Sequence, residues 1–122
     1  MTLISMKSLL ETAKNNNFAI GYFEAWDTYS MEAVAIAAEK ENSPIVLGFG
    51  GSTVNQNWIN DFGIEPLGAY ANKLAKSLNV PAAVFLHEVY DLEHIKRGIT
   101  SGFNSVLLHS SHLSIEDNIT IT

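Results

Sequence analysis

The run Val80-Pro81-Ala82-Ala83-Val84-Phe85-Leu86-His87-Glu88-Val89-Tyr90-Asp91 constrains this chain more than any other. Residues 82–86 are small or apolar without alternation, and Pro81 closes the run on its N-terminal side. A stretch apolar on both faces suits a strand buried in a parallel sheet. It turns polar at His87 and Glu88, and Asp91 is placed to cap a following helix. Ionisable groups at the C-terminal end of a buried strand occupy the position where α/β proteins carry their chemistry. The plainer alternative is that His87 and Glu88 only lead the chain out to solvent.

The chain has 122 residues, 47% hydrophobic and 16% charged, which suits one globular domain. It contains no cysteine, so a disulfide framework and a thiolate metal site are excluded. No apolar run reaches transmembrane length and no signal-peptide h-region opens the chain, so the expectation is a soluble cytoplasmic protein. A formal charge of −6 with no basic cluster argues against nucleic acid and against an anionic membrane surface.

Strand-like and helix-like segments alternate along the rest. Ser5 is a cap for a helix carrying Met6, Leu9, Leu10 and Ala13 on one stripe, ended by Asn15-Asn16-Asn17. Residues 18–23 read as a first strand with 24–27 as its exit loop. Ser30 opens a second helix, with Met31, Val34, Ala35 and Ala38 buried and Glu32, Glu39, Lys40 and Glu41 facing water. A second strand covers 45–49 and leaves through Gly50-Gly51-Ser52. Residues 53–63 lack a period and are expected to form a long loop with at most a helical turn. A third helix spans about 65–78. The central strand follows, then a helix presenting Leu92, Ile95 and Ile99 and stopped by Gly102, on which His94 should be solvated. Residues 105–108 form a fourth strand, and Ser114 starts another helix. This order predicts an α/β fold: an N-terminal helix, then four parallel strands joined by right-handed helical crossovers.

Several segments together resemble the opening of class II fructose-bisphosphate aldolases. They are Ser5-Met6-Lys7, Phe18-Ala19-Ile20-Gly21-Tyr22-Phe23, Glu39-Lys40-Glu41-Asn42-Ser43-Pro44-Ile45-Val46-Leu47-Gly48 and Val80-Pro81-Ala82-Ala83-Val84. Gly102-Phe103-Asn104-Ser105-Val106, Ser111-His112-Leu113 and Glu116-Asp117-Asn118-Ile119 continue the likeness in one register. The resemblance implies that residues 1–122 are the N-terminal half of a (β/α)₈ TIM barrel, a truncated domain. Closing eight strands takes about 250 residues, so either a longer gene product or two cooperating copies is expected. The family implies an aldehyde-lyase that cleaves ketose bisphosphates of the fructose or tagatose type. A divalent metal, usually zinc, and a phosphorylated sugar partner come with it, as does a homo-oligomer of the full-length form. The alternative is a non-catalytic sugar-phosphate-binding or regulatory homologue, or an inactive fragment.

The sequence departs from the family at its catalytic motif. The family carries His-Leu-Asp-His where this chain has Phe85-Leu86-His87-Glu88, which puts His87 at the acid/base position and Glu88 at a metal position. Glu24 replaces the usual Asn after the first strand, Gly50 the usual Ser after the second, and His109 the usual Asp near the fourth. The later metal-binding histidines of the family fall beyond Thr122. His87 and Glu88 are therefore the candidate catalytic residues, and Glu88 and His109 the candidate metal ligands. Glu24, Asp27, Ser52 and His112, also at predicted strand ends, are candidates for substrate binding; Asp27 and Ser52 have a plainer reading as loop residues. The glycines of 48–52 fit no phosphate-binding fingerprint and read as a tight turn. All seven Lys and Arg residues fall on predicted helices, so the rim lacks a cation for phosphate.

Overall fold

In the computed structural model, which describes residues 2–122, the helix stripe and the strand runs produce the alternation the sequence predicts. Ser5 caps α1 (Met6–Asn15), its hydroxyl accepting from the Ser8 amide at 3.1 Å, and Leu9 and Ala13 are buried. Strand β1 is Gly21–Ala25, later than the expected 18–23. The cause is local: Asn17 takes a left-handed backbone (φ 56°) and the Phe18 amide still bonds the Ala13 carbonyl, so the chain is leaving the helix there. Glu24 thus belongs to the strand instead of an exit loop.

Helix α2 (Thr28–Lys40) starts at an Asp27 cap, and Ser30 closes a capping box as its third residue. Strand β2 (Ile45–Gly50) is buried along its whole length. The expected long loop of 53–63 is mostly helical. Asn55 caps the one-turn α3 (Gln56–Trp58), which continues through a wide π-turn (Ile59–Gly63) into α4 (Ile64–Ser77). Arg97 explains how the wide turn is tolerated. Its guanidinium donates to the carbonyls of Ile59 (3.2 Å) and Asn60 (2.7 Å) and pairs twice with Glu65 at 2.7 Å. Strand β3 (Ala82–Val89), α5 (Leu92–Ser101), β4 (Ser105–Leu108) and α6 (Ile115–Ile121) complete the chain.

All strand pairs are parallel and the order is β1-β2-β3-β4, so β1 and β4 are the edges, as half of a sequentially ordered barrel predicts. The main core lies between one face of this sheet and α2, α4 and α5, around Leu47, Phe49, Val84, Leu86 and Val89. On α5 the expected stripe is corrected. His94 and Gly98 face inward, only Ile95 of the three apolar residues packs on the core, and Leu92 and Ile99 are exposed. A Cβ on Gly98 would come within 2.8 Å of Leu86, so glycine lets this helix close onto β3 and draws His94 under cover. His94 is 6% exposed, and its Nδ1 has no partner among the described residues.

The opposite sheet face holds a smaller cluster of Leu9, Val46 and Ala83 with Ile20, Tyr22 and Phe85, covered at its N-terminal end by α1. Towards the strand C-termini this inner face carries Glu24, Gly50 and His87 instead.

Candidate functional site

Alternation along the strands sends Tyr22 and Glu24 of β1, Gly48 and Gly50 of β2, and Phe85 and His87 of β3 to the same inner face. Glu24 and His87 sit two strands apart, and Gly50 lies between them. A Cβ at Gly50 would stand 2.3 Å from the Glu24 carboxylate. Because glycine leaves that space open, Glu24 lies across β2 and its Oε2 meets His87 Nδ1 at 3.0 Å. The glycines expected to form a turn therefore divide. Gly48 and Gly50 are strand residues, and the turn begins at Gly51.

Strand β3 is irregular where its chemistry begins. Its pairing with β4 shifts register between Leu86 and Val89, and Glu88 adopts φ 55°, a conformation costly for a side chain with a Cβ. The irregularity lets two successive residues, His87 and Glu88, address one rim. Glu88 Oε1 stands 3.9 Å from His87 Nε2 and 3.9 Å from His109 Nδ1, between the two imidazoles. Its other oxygen accepts from the Ser52 hydroxyl at 3.1 Å. His109, just past β4, bonds Ser111 Oγ through Nε2 at 3.0 Å and stacks on His112 with ring centroids 6.3 Å apart.

An ionised carboxylate only accepts hydrogen bonds, so the His87 nitrogen that faces Glu24 carries its proton at Nδ1. In the neutral ring Nε2 is then the unprotonated nitrogen, turned toward Glu88. The His87 ring is steadied by Tyr22 and Phe85, at centroid distances of 5.3 and 5.1 Å. Burial first, then the charges of Glu24 and Glu88, push the Tyr22 phenol well above its ordinary value, so it stays a neutral donor. Its hydroxyl is buried and has no partner among the described residues.

The structure therefore gathers Glu24, Ser52, His87, Glu88, His109 and His112 along one rim. Asp27 stands apart from them. Its Oδ1 is spent on the Ser30 amide at 2.7 Å, which is the work of a helix cap. Sequence reading missed Thr53 and Tyr22 and took Gly50 only for a turn residue that departs from the family. The available signal was Gly48-Phe49-Gly50: glycines two apart on a strand empty one face of it.

The donors were tested against the metal the resemblance implies. Two ligands of a tetrahedral zinc ion at about 2.0–2.2 Å lie roughly 3.4 Å apart, closer than the 3.9 Å spacings around Glu88. No three His, Cys, Asp or Glu side chains among the described residues form a group that could hold a metal ion. As arranged here, Glu88 and His109 do not make a zinc site.

Four parallel strands in sequential order, alternating with helices, define the class: one half of a (β/α)₈ barrel, with the ionisable residues named above at the C-terminal ends of its strands. The model of the class-II fructose-bisphosphate aldolase family matches residues 4–122, and the chain belongs to that family. It is 35% identical over 97% of its length to a sulfofructosephosphate aldolase of Alkalicoccus urumqiensis, of which it covers 39%. It is 32% identical over its full length to a 6-phospho-5-dehydro-2-deoxy-D-gluconate aldolase of Halalkalibacterium halodurans, covering 42%. The crystal structure of the YdjI aldolase from Escherichia coli K12 superposes with a TM-score of 0.81 at 24% identity, over 97% of this chain and 43% of that one. The chain thus spans about two fifths of the length of these relatives. The family is generally metal-dependent and acts on phosphorylated sugars. No helix among the described residues is long and apolar enough to cross a membrane.

Proposed function

We propose that this chain supplies the proton-transferring rim of an aldehyde-lyase of carbohydrate metabolism, cytoplasmic and acting on a phosphorylated ketose. The observation that carries the reading is the Glu24–His87 contact at 3.0 Å, formed across the gap left by Gly50. A carboxylate that holds one imidazole nitrogen and leaves the other free is the arrangement of an oriented general base.

In this role His87 Nε2 removes the proton of a substrate hydroxyl. That oxygen becomes the carbonyl of the departing aldehyde as the neighbouring C–C bond breaks. The electron pair of that bond passes to the carbonyl-bearing fragment as an enediolate, and the imidazolium returns the proton to its carbon. Glu24 keeps the ring in one tautomer and stabilises the imidazolium between the two transfers. The gaps between Glu88 Oε1 and the two imidazoles are too long for direct hydrogen bonds, and a substrate hydroxyl seated there could bond both sides. Glu24 and Glu88 repel a phosphate dianion, so the hydroxyl-bearing carbons of the substrate face His87 and its phosphates bind elsewhere. No step is routed through a metal, because the donors described above do not fit one.

The test is aldehyde release from fructose- and tagatose-bisphosphate by the complete reading frame that encodes these residues. His87→Ala should lower turnover at least ~100-fold, the lower range for a lost general acid/base, with unchanged melting. Equal turnover would place the proton shuttle elsewhere. No cleavage by the unmutated protein, with retained sugar-phosphate binding, would replace the lyase reading by that of a binding homologue.

A further inference from the structure

We propose that Thr53, in the loop 51–55 between β2 and α3, is a positioning residue that holds the Glu24 carboxylate against His87 and so fixes its tautomer, while Ser52 beside it orients Glu88 across the rim. The inference rests on the reading of His87 as the proton-transferring group, and it assigns the loop a part in that site.

The two hydroxyls diverge from one point. Ser52 Oγ donates to Glu88 Oε2 at 3.1 Å. The single proton of Thr53 Oγ1 is shared between Glu24 Oε1 at 3.2 Å and the Gly50 carbonyl at 2.9 Å. Glu24 gives its other oxygen to His87, and Glu88 points its other oxygen toward His87 Nε2. Each carboxylate is thus held at one oxygen by the loop and turns the second toward the same imidazole.

The loop is itself tied down at both ends. The Gly51 amide bonds the His87 carbonyl, which fastens the start of the loop to the residue it serves. Gln56 Nε2 closes the far end on the carbonyls of Gly51 (2.6 Å) and Val54 (3.1 Å), and the Thr53 and Val54 amides return to the Gly50 carbonyl. A hydroxyl on an anchored backbone orients its partner at little entropic cost, whereas a free Glu side chain gives up rotamer freedom to stay in place. The strained backbone at Glu88 has the same sense, since conformations of this kind persist only where the surroundings enforce them.

The experiment is long-range ¹H–¹⁵N spectroscopy of the histidine rings in the ¹⁵N-labelled product of the complete reading frame, with signals assigned by single substitutions. In the unmutated chain His87 should show one tautomer, protonated at Nδ1. Thr53→Val should convert it to a mixture, Ser52→Ala should leave the single form in place, and Thr53→Ser should retain it. The buried His94 reports the fold, so unchanged His94 signals certify each variant, and Thr53→Ala serves if Thr53→Val fails to fold. An unaltered His87 tautomer in the Thr53 variant, with unaltered His94 signals, would overturn the proposal. It would leave the lyase assay on His87 untouched, so the two readings fail separately.

Discussion

The middle of the sheet and its margins are built differently. Every residue of β2 is buried, and β3 buries five of its eight, whereas β1 buries only Ala25 and β4 none. Phe23 on β1 is 60% exposed and Leu107 on β4 40%, beside an apolar fringe of Trp26, Tyr29 and Ile36 at one margin and Leu92, Ile99 and Ile115 at the other. The rim chemistry crosses that division. Its tight contact, Glu24–His87, joins the edge strand β1 to β3 across the buried β2, and its open spacing, Glu88 to His109, lies over the β3–β4 margin. Order at the rim therefore comes from the gap at Gly50 in the buried β2, which lets a residue of an edge strand reach β3.

The largest test of that contrast compares two phenylalanines. Phe49 is fully buried in the main core, so Phe49→Ala should cost about 3–5 kcal/mol, the usual range for a large core truncation. Phe23→Ala should cost well under ~1 kcal/mol, as surface substitutions do. Urea unfolding measures both, and equal losses would mean that β1 is as well packed as β2.

The same contrast explains what the sequence could tell. Strands β2 and β3 were legible because apolar runs bounded by Pro44 and Pro81 allow few other structures. Strand β1 was misplaced because Phe18 and Ile20 look like strand residues, while the deciding fact is a backbone bond from Phe18 to the preceding helix. The burial of His94 was hidden since it depends on how closely Gly98 lets α5 approach Leu86. At the site, His87 and Glu88 stood out as polar residues ending an apolar run. The Glu24–His87 contact did not, because it needs two strands flanking a third and a glycine between them. Residue types show which groups could react; the register of the sheet decides which of them meet.

The margins supply the second prediction. Unpaired edges and apolar fringes drive association, and a net charge of −6 is too small to oppose it. Light scattering across a dilution series of the 122-residue chain should show dimers or larger species at micromolar concentration. Phe23→Glu or Leu107→Lys, charges placed at either edge, should shift the distribution toward monomer. A monodisperse monomer that melts cooperatively would show that the margins are already satisfied.

Zinc tests the looser end of the rim. With Glu88 and His109 spaced wider than one ion requires, the chain dialysed against a chelator should retain well under one zinc by elemental analysis. Stoichiometric, chelator-resistant zinc would mean that this end closes around a metal, with His87, Glu88, His109 and His112 as the ligands to mutate.

The smallest effect is expected in acid, and it belongs to the packed half. The amide and hydroxyl of Ser30 hold the Asp27 carboxyl below its ordinary value, the Asn79 side chain and amide do the same for Glu39, and Arg97 does so for Glu65. These carboxylates bind protons less readily folded than unfolded. Their stabilisation is therefore complete above the unfolded values, about 3.9 for Asp and 4.3 for Glu, and is lost as pH falls through the lower folded ones. Asp27 and Glu65 are exposed and Glu39 is half-buried at the surface, which keeps each contribution modest. The urea midpoint should accordingly stay level from neutrality to about pH 5 and decline below about pH 4. Asp27→Asn sharpens the assignment. Asparagine caps a helix about as well as aspartate but does not titrate, so the variant should match the parent at neutral pH and decline less in acid. An identical acid decline in Asp27→Asn would remove Asp27 from the set and leave Glu39 and Glu65, whose contacts fasten α2 to the entry of β3 and α4 to α5, to account for it.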